Sequence, residues 1–194
     1  MILTDFIVFE GIDGAGTSTQ LNLISQKLGE TVWVTAEPTD SPIGRLIREF
    51  LKGKFSLTEN TVTRLFAADR EEHIYGENGI ISHLKLGKKV FSDRYFFSTF
   101  AYQSSPIMKE QNRTFPYPQH LFFFDIKPEI SLSRIQSRDE KEIYEKEEIL
   151  TRTYEKYLDA IMEGRKEEPD MNVHVIDATL PIDEVNEKIL GILF

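Results

Sequence analysis

The chain has 194 residues, 40% hydrophobic and 28% charged, the balance of a globular chain able to bury one sizeable core. It contains no cysteine, which excludes a disulfide framework, thiolate metal sites and thiol nucleophiles. A net charge of −9 argues against a surface that coats nucleic acid or an anionic membrane, yet permits a local basic pocket for a phosphate.

Met1-Ile-Leu-Thr-Asp5-Phe6 lacks the basic start of a secretory signal, and no apolar run approaches the length of a membrane span, so the expectation is a soluble, cytoplasmic protein. Phe6-Ile7-Val8-Phe9 predicts a first strand and residues 11–16 a glycine-rich turn. Leu21, Ile24 and Leu28 have the spacing of a helix over residues 17–28. Residues 31–35 predict a second strand, stopped by Pro38 and Pro42, and Ile43, Ile47 and Leu51 a second helix. Residues 57–86 read as mostly helical with an interruption at Asn78-Gly79. A third strand over residues 89–92 ends at Asp93, and another helix begins near Ser98.

Leu121-Phe-Phe-Phe-Asp125 is apolar until its last residue, the pattern of a strand buried on both faces. Pro128 opens a helix where its missing N–H costs little. A long helix over residues 146–165 places Leu150, Tyr154, Tyr157, Leu158 and Ile161 on one face. Residues 173–176 form a fifth strand, and residues 181–193 a closing helix. Short apolar runs alternating with amphipathic ones predict a single three-layer α/β domain over residues 1–194, with residues 111–119 as its longest irregular piece.

Gly11-Ile-Asp-Gly-Ala-Gly16-Thr-Ser18 follows a strand and opens a helix. Such a turn lets successive backbone N–H groups converge on phosphate oxygens, and the helix N-terminus adds partial positive charge. Gly11 and Gly16 fall at the spacing of G-x-x-x-x-G-K-[ST], and Ser18 takes the position whose hydroxyl ligates Mg²⁺. Position 17, however, is Thr where the motif has Lys. Taken alone, the segment is also compatible with a tight strand-to-helix turn that holds no ligand. Asp93, at the end of a buried strand, stands on the sheet edge where open α/β folds bind ligands; alone, Asp93-Arg94 can equally be an ion pair capping the strand. His73, His83, His120 and His174 show no metal-ligand spacing.

Phe9-Glu-Gly-Ile-Asp13-Gly-Ala-Gly16, Thr35-Ala-Glu37-Pro38, Leu65-Phe66-Ala-Ala-Asp69-Arg70, Asp93-Arg94-Tyr95 with Ser98 and Ala101-Tyr102-Gln103, Arg134-Ile-Gln-Ser-Arg138 and Ile176-Asp177-Ala178 occur in order along the chain. Together they resemble the thymidylate kinases of the P-loop nucleoside monophosphate kinase group, over nearly the full length. The resemblance implies a P-loop NTPase fold, a five-stranded parallel sheet flanked by helices, with a short lid over about residues 138–148. It implies transfer of the γ-phosphoryl of ATP to dTMP with Mg²⁺, and a homodimer packing the helix that carries Leu65 and Phe66.

The resemblance also implies roles. Gly11, Gly14, Ala15, Gly16, Thr17, Ser18 and Thr19 would cradle the ATP phosphates, and Ser18 and Asp93 would hold Mg²⁺. Arg94 would bridge the acceptor phosphate and the transferred group, Asp13 would contact the sugar or reacting phosphate, and Arg138 would act from the lid. Phe66 would stack on thymine and Arg70 would bond the base edge. Glu37, Ser98, Tyr102 and Gln103 would complete the dTMP pocket, with Tyr102 and Gln103 crowding the 2′ position. Without the resemblance, Phe66 reads as core, Arg70 as solvated, Asp13 as a turn residue and Glu37 as a loop carboxylate; Arg45 and Arg48, on one helical face, are candidates to bind the monophosphate, with a solvated face the equal alternative for Arg45.

Three positions depart from the family pattern, all in its cationic apparatus: Thr17 for Lys, Ala36 for the Arg usual before Glu37-Pro38, and Ile143 for Arg in the lid. The lid carries Asp139, Glu140, Glu142, Glu145, Glu147 and Glu148 against Lys141 and Lys146 after Arg138. Three readings follow. The chain is a kinase in which Arg134, Arg138, Lys141 or Lys146 substitutes for the missing bases. Alternatively it is a non-catalytic nucleotide sensor, or a kinase for another deoxynucleotide or a deoxynucleoside.

Overall fold

Phe6, Ile7, Val8 and Phe9 are each 1% exposed or less, because the strand they form is the middle of a sheet with helices on both faces. The computed structural model of the chain describes residues 1–135 and 147–194. Strand β1 (Ile2–Glu10) leads through the glycine turn into helix α1 (Thr17–Leu28), and β2 (Val32–Ala36) into α2 (Pro42–Leu51). Helices α3 (Glu59–Tyr75) and α4 (Ile80–Lys85) precede β3 (Lys89–Asp93); α5 (Phe96–Tyr102) and α6 (Met108–Asn112) precede β4 (Tyr117–Asp125). Helices α7 (Pro128–Ile135) and α8 (Glu147–Glu167), strand β5 (Asn172–Asp177) and helix α9 (Ile182–Leu193) complete the chain.

The five strands are all parallel, in the order β2-β3-β1-β4-β5. The chain leaves β1 for one side of the sheet, returns through β3, and then builds the other side with β4 and β5. That reversal opens a crevice at the carboxyl end of β1, where ligands of such folds bind. Register makes the edge level: Phe9 and Ala36 both pair with Asp93, and Asp125 pairs with Asp177. The main core gathers the inward faces of the sheet, α1, α5, α8 and α9, while Ile47, Phe50, Leu51 and Val62 join α2 to α3 in a smaller cluster.

Four sequence expectations change in detail. Residues 111–119 are not one irregular piece: α6 ends at Asn112, and β4 starts at Tyr117 because Tyr117 and Pro118 pair with Ile2 and Leu3. The helical stretch after residue 57 breaks between Tyr75 and Ile80. On α8, Leu158 is 40% exposed, and Thr153 and Ala160 are buried with Leu150, Tyr157 and Ile161 instead. On α1, Thr17 and Gln20 join Leu21 and Ile24 on the buried face, and Leu28 is only half-buried. Most of the expected lid, with Arg138, Lys141 and Lys146, lies outside the described residues.

Candidate active site

The glycine turn is shaped by two residues with left-handed backbone. Gly14 has φ 83°, and a Cβ there would stand 2.9 Å from the Ser131 carbonyl oxygen of α7. Gly16 caps α1 at φ 97° with open space where a side chain would be. The turn therefore brings bare backbone N–H groups to the start of a helix, facing a cavity of about 280 Å³. Thr17 and Ser18 line that cavity; Thr17 is 6% exposed and its hydroxyl has no hydrogen-bond partner among the described residues.

Across the crevice stands Asp93. The Ser18 hydroxyl donates to its Oδ2, while Oδ1 is buried with no partner among the described residues. An orphaned carboxylate oxygen beside a hydroxyl, next to a turn of bare backbone N–H groups, is an oxygen-donor pair that suits Mg²⁺. Arg94 follows with φ 75°, an unfavourable backbone for a non-glycine residue. It is held there because its N–H bonds the Phe9 carbonyl at 2.9 Å and its own carbonyl accepts from Ser92 Oγ at 2.7 Å. Its guanidinium donates to the Gly11 carbonyl, to Asp13 at 2.7 Å and to the Tyr157 hydroxyl at 2.6 Å, over the Tyr102 ring. Asp13 thus pairs with Arg94, and its backbone N–H donates to the Tyr102 hydroxyl at 3.1 Å.

The far end of the cavity is built by α3 and α5. Phe66, Arg70, Thr99, Tyr102 and Gln103 line it. Arg70, solvated by its charge alone, is 1% exposed: Nε and Nη2 donate to Glu37 Oε2 at 2.9 and 2.6 Å, Nη2 reaches Thr99 Oγ1 at 3.2 Å, and Nη1 reaches Asn112. Of its five N–H groups, one on Nη1 has no acceptor among the described residues. Glu37 is likewise not an ordinary loop carboxylate. Its second oxygen meets His73 Nδ1 at 3.0 Å, and His73 Nε2 meets Thr35 Oγ1 at 2.7 Å, so a buried polar chain stiffens this end of the cavity. Gln103 is fixed by Thr63 Oγ1 at 2.6 Å. Phe66 is only partly buried, standing where the smaller α2–α3 cluster meets the cavity.

Asp69 and Glu10 lie outside the roles read from the sequence, and of the two arginines expected near the monophosphate only Arg48 reaches the cavity. Asp69, 1% exposed, binds the Thr39 N–H at 2.8 Å and the Ser41 hydroxyl at 2.8 Å, and so sets the loop between β2 and α2. Arg48 lines the cavity, donates to the Pro38 carbonyl and keeps a buried Nε with no partner among the described residues, whereas Arg45 donates to the Asp40 carbonyl at the surface. Glu10 is fully buried behind the turn, and burial pushes its carboxyl up to about 7 although Arg94, Ser98, Tyr157 and the Tyr95 N–H pull it down. Ser98 spends its hydroxyl on that carboxylate, at 2.6 Å. The sequence signal for this group was slight: a Glu ending an otherwise apolar strand, and a Tyr on an apolar helix face, whose hydroxyl requires a partner once buried.

A second hollow, about 310 Å³, lies on the other side of the turn and shares Gly14, Gly16 and Thr19 with the first. Arg134 of α7 borders it and donates to the Ala178 carbonyl at 3.0 Å and the Gly14 carbonyl at 3.4 Å.

The thymidylate kinase family profile matches residues 9–189, which contain every element of this site. The chain belongs to the thymidylate kinase family. It is 39% identical to a putative thymidylate kinase of Treponema pallidum, with 97% of this chain and 94% of that protein covered. It is 37% identical to a probable thymidylate kinase of Methanocaldococcus jannaschii, with 100% of this chain and 97% of that protein covered. The fold is that of the Candida albicans thymidylate kinase structure, at a TM-score of 0.74 and 22% identity over 97% of this chain and 90% of that one. Family membership and the five-stranded parallel sheet are as the sequence motifs implied.

Proposed function

We propose that the protein transfers the γ-phosphoryl group of ATP to dTMP, giving dTDP and ADP. The observation that carries this reading is that one cavity runs from an aromatic and arginine end, Phe66 and Arg70, to the phosphate turn, with Asp93 and Arg94 between. A pyrimidine stacks on Phe66 and meets the unused Nη1 donor of Arg70, while Tyr102 and Gln103 crowd the sugar's 2′ side. The acceptor phosphate lies between Arg48, whose Nε is unused, and Arg94. ATP occupies the second hollow and lays its phosphates on residues 11–19.

An oxygen of the dTMP phosphate attacks the γ-phosphorus as the bond to the β-phosphate bridging oxygen breaks, and ADP leaves with that electron pair. No covalent enzyme intermediate is needed, so positioning and charge neutralisation do the catalytic work. Ser18 and Asp93 would hold Mg²⁺, which would supply neutralisation of phosphate charge there. Position 17 contributes a hydroxyl in place of an ammonium, so Arg94 and Arg134, both bonded to carbonyls of the turn, take over its charge. We further propose a cytoplasmic homodimer, as the motif resemblance implies; no described helix is long and apolar enough to cross a membrane.

The test is a product assay with Mg·ATP against dTMP, dUMP, dGMP and thymidine. The reading expects dTDP as the dominant product. A product from thymidine or dGMP in preference to dTMP would move the substrate, and dTMP binding without any product would make the protein a sensor.

A further inference from the structure

Arg94 is clamped from two directions. Two of its bonds go to the phosphate turn itself, to the Gly11 carbonyl and the Asp13 carboxylate. The remaining bond reaches Tyr157, on α8, at 2.6 Å from Nη1. Tyr157 is fully buried and rigidly anchored: its hydroxyl lies 3.0 Å from Glu10 Oε2 and 2.7 Å from Ser98 Oγ, and its ring packs edge-on against Tyr102 and beside Phe123. Burial raises the phenol well above its ordinary range, so it keeps its proton. The oxygen accepts from Arg94 and gives that one proton to Glu10 or Ser98. Glu10 accepts in addition from the Tyr95 and Ser98 N–H groups, at 2.8 and 3.2 Å, so the anchor is tied to the same segment that carries Arg94.

We infer that Tyr157 is a positioning residue for phosphoryl transfer, fixing the Arg94 guanidinium from α8 through the buried Glu10–Ser98 anchor. The inference rests on the proposed kinase reading and deepens it. Asp13 and the Gly11 carbonyl belong to the turn, whereas Tyr157 stands on α8 and ties the guanidinium to a second element. Tyr157 supplies the fixed reference. A donor held in one orientation matters most where charge develops on the transferred group, so loss of the clamp falls on kcat rather than on dTMP binding.

Tyr157→Phe removes one oxygen and keeps the ring that fills the core. The expected result is a kcat at least tenfold lower, with KM for dTMP within about threefold of wild type and the unfolding midpoint little changed. NMR of the arginine side chains gives a readout that needs no turnover: the Arg94 Nη–H signals, sharp and exchange-protected in the wild type, broaden and exchange faster in the variant. Unchanged Arg94 signals overturn the inference, as does an unaltered kcat in an active enzyme. If the wild type shows no turnover at all, the kinase reading fails while the Arg94 signals still decide whether Tyr157 holds the guanidinium.

Discussion

Ser18 and Asp93 come from different elements, 75 residues apart, and meet by a single hydrogen bond that leaves one carboxylate oxygen of Asp93 buried with no partner among the described residues. A buried lone pair without a partner is costly unless a ligand completes it. Asp93→Asn keeps the shape and removes the charge. It should weaken Mg²⁺ dependence at least tenfold, read as the Mg²⁺ concentration needed for half-maximal stabilisation of the ATP complex. An unshifted Mg²⁺ midpoint would show that Asp93 only caps the strand.

Phe66 stands partly buried at the cavity's base end. Stacking of a base on an aromatic ring contributes roughly 1–3 kcal/mol, so Phe66→Ala should raise the dissociation constant for dTMP by about ten- to a hundredfold. Calorimetric titration of dTMP measures this directly. The variant should retain its fold, since Phe66 only borders the smaller cluster.

Glu37 and Arg70 form an ion pair at 2.6 Å with side chains 3% and 1% exposed. Glu37→Gln leaves the guanidinium buried without its counter-charge, a change that destabilises by about 3–5 kcal/mol. Urea unfolding should show the loss even without nucleotide. A change under 1 kcal/mol would mean that Thr99 and Asn112 suffice to hold Arg70.

Glu10 gives a pH dependence with a defined sign. Its folded carboxyl titrates at about 7 against an ordinary 4.5, chiefly through burial, so folding favours the protonated form. Its contribution to stability is complete below pH 4.5 and is lost as pH rises through about 7. Relative to Glu10→Gln, which cannot ionise, the wild type should lose a few kcal/mol across that window, at about 1.4 kcal/mol per pKa unit. A wild-type stability that, relative to Glu10→Gln, stays flat or rises with pH would contradict the assignment.

What could be read from the sequence was local. The glycine turn, the Asp after a strand and the Phe66–Arg70 helix each lie within a few residues, and secondary-structure periodicity places them on one sheet edge. What could not be read joins distant segments. Glu10 and Tyr157 are 147 residues apart, and nothing in either neighbourhood announces the other. Tyr157 counted as one more apolar position on a helix, although its hydroxyl is the part that matters. Arg70 looked solvated because its countercharge, Glu37, comes from a different element. The 2.8 Å bonds of Asp69 to Thr39 and Ser41 were hidden for the same reason.

With Thr at position 17, the proposed phosphoryl transfer depends on Arg94 and Arg134 for the missing charge. Steady-state turnover with Mg·ATP and dTMP is to be followed as ADP release, beside calorimetric titration of dTMP. The expected kcat is above roughly 1 s⁻¹, the lower end of ordinary enzyme turnover. Tight dTMP binding with no ADP release beyond a protein-free control would contradict it.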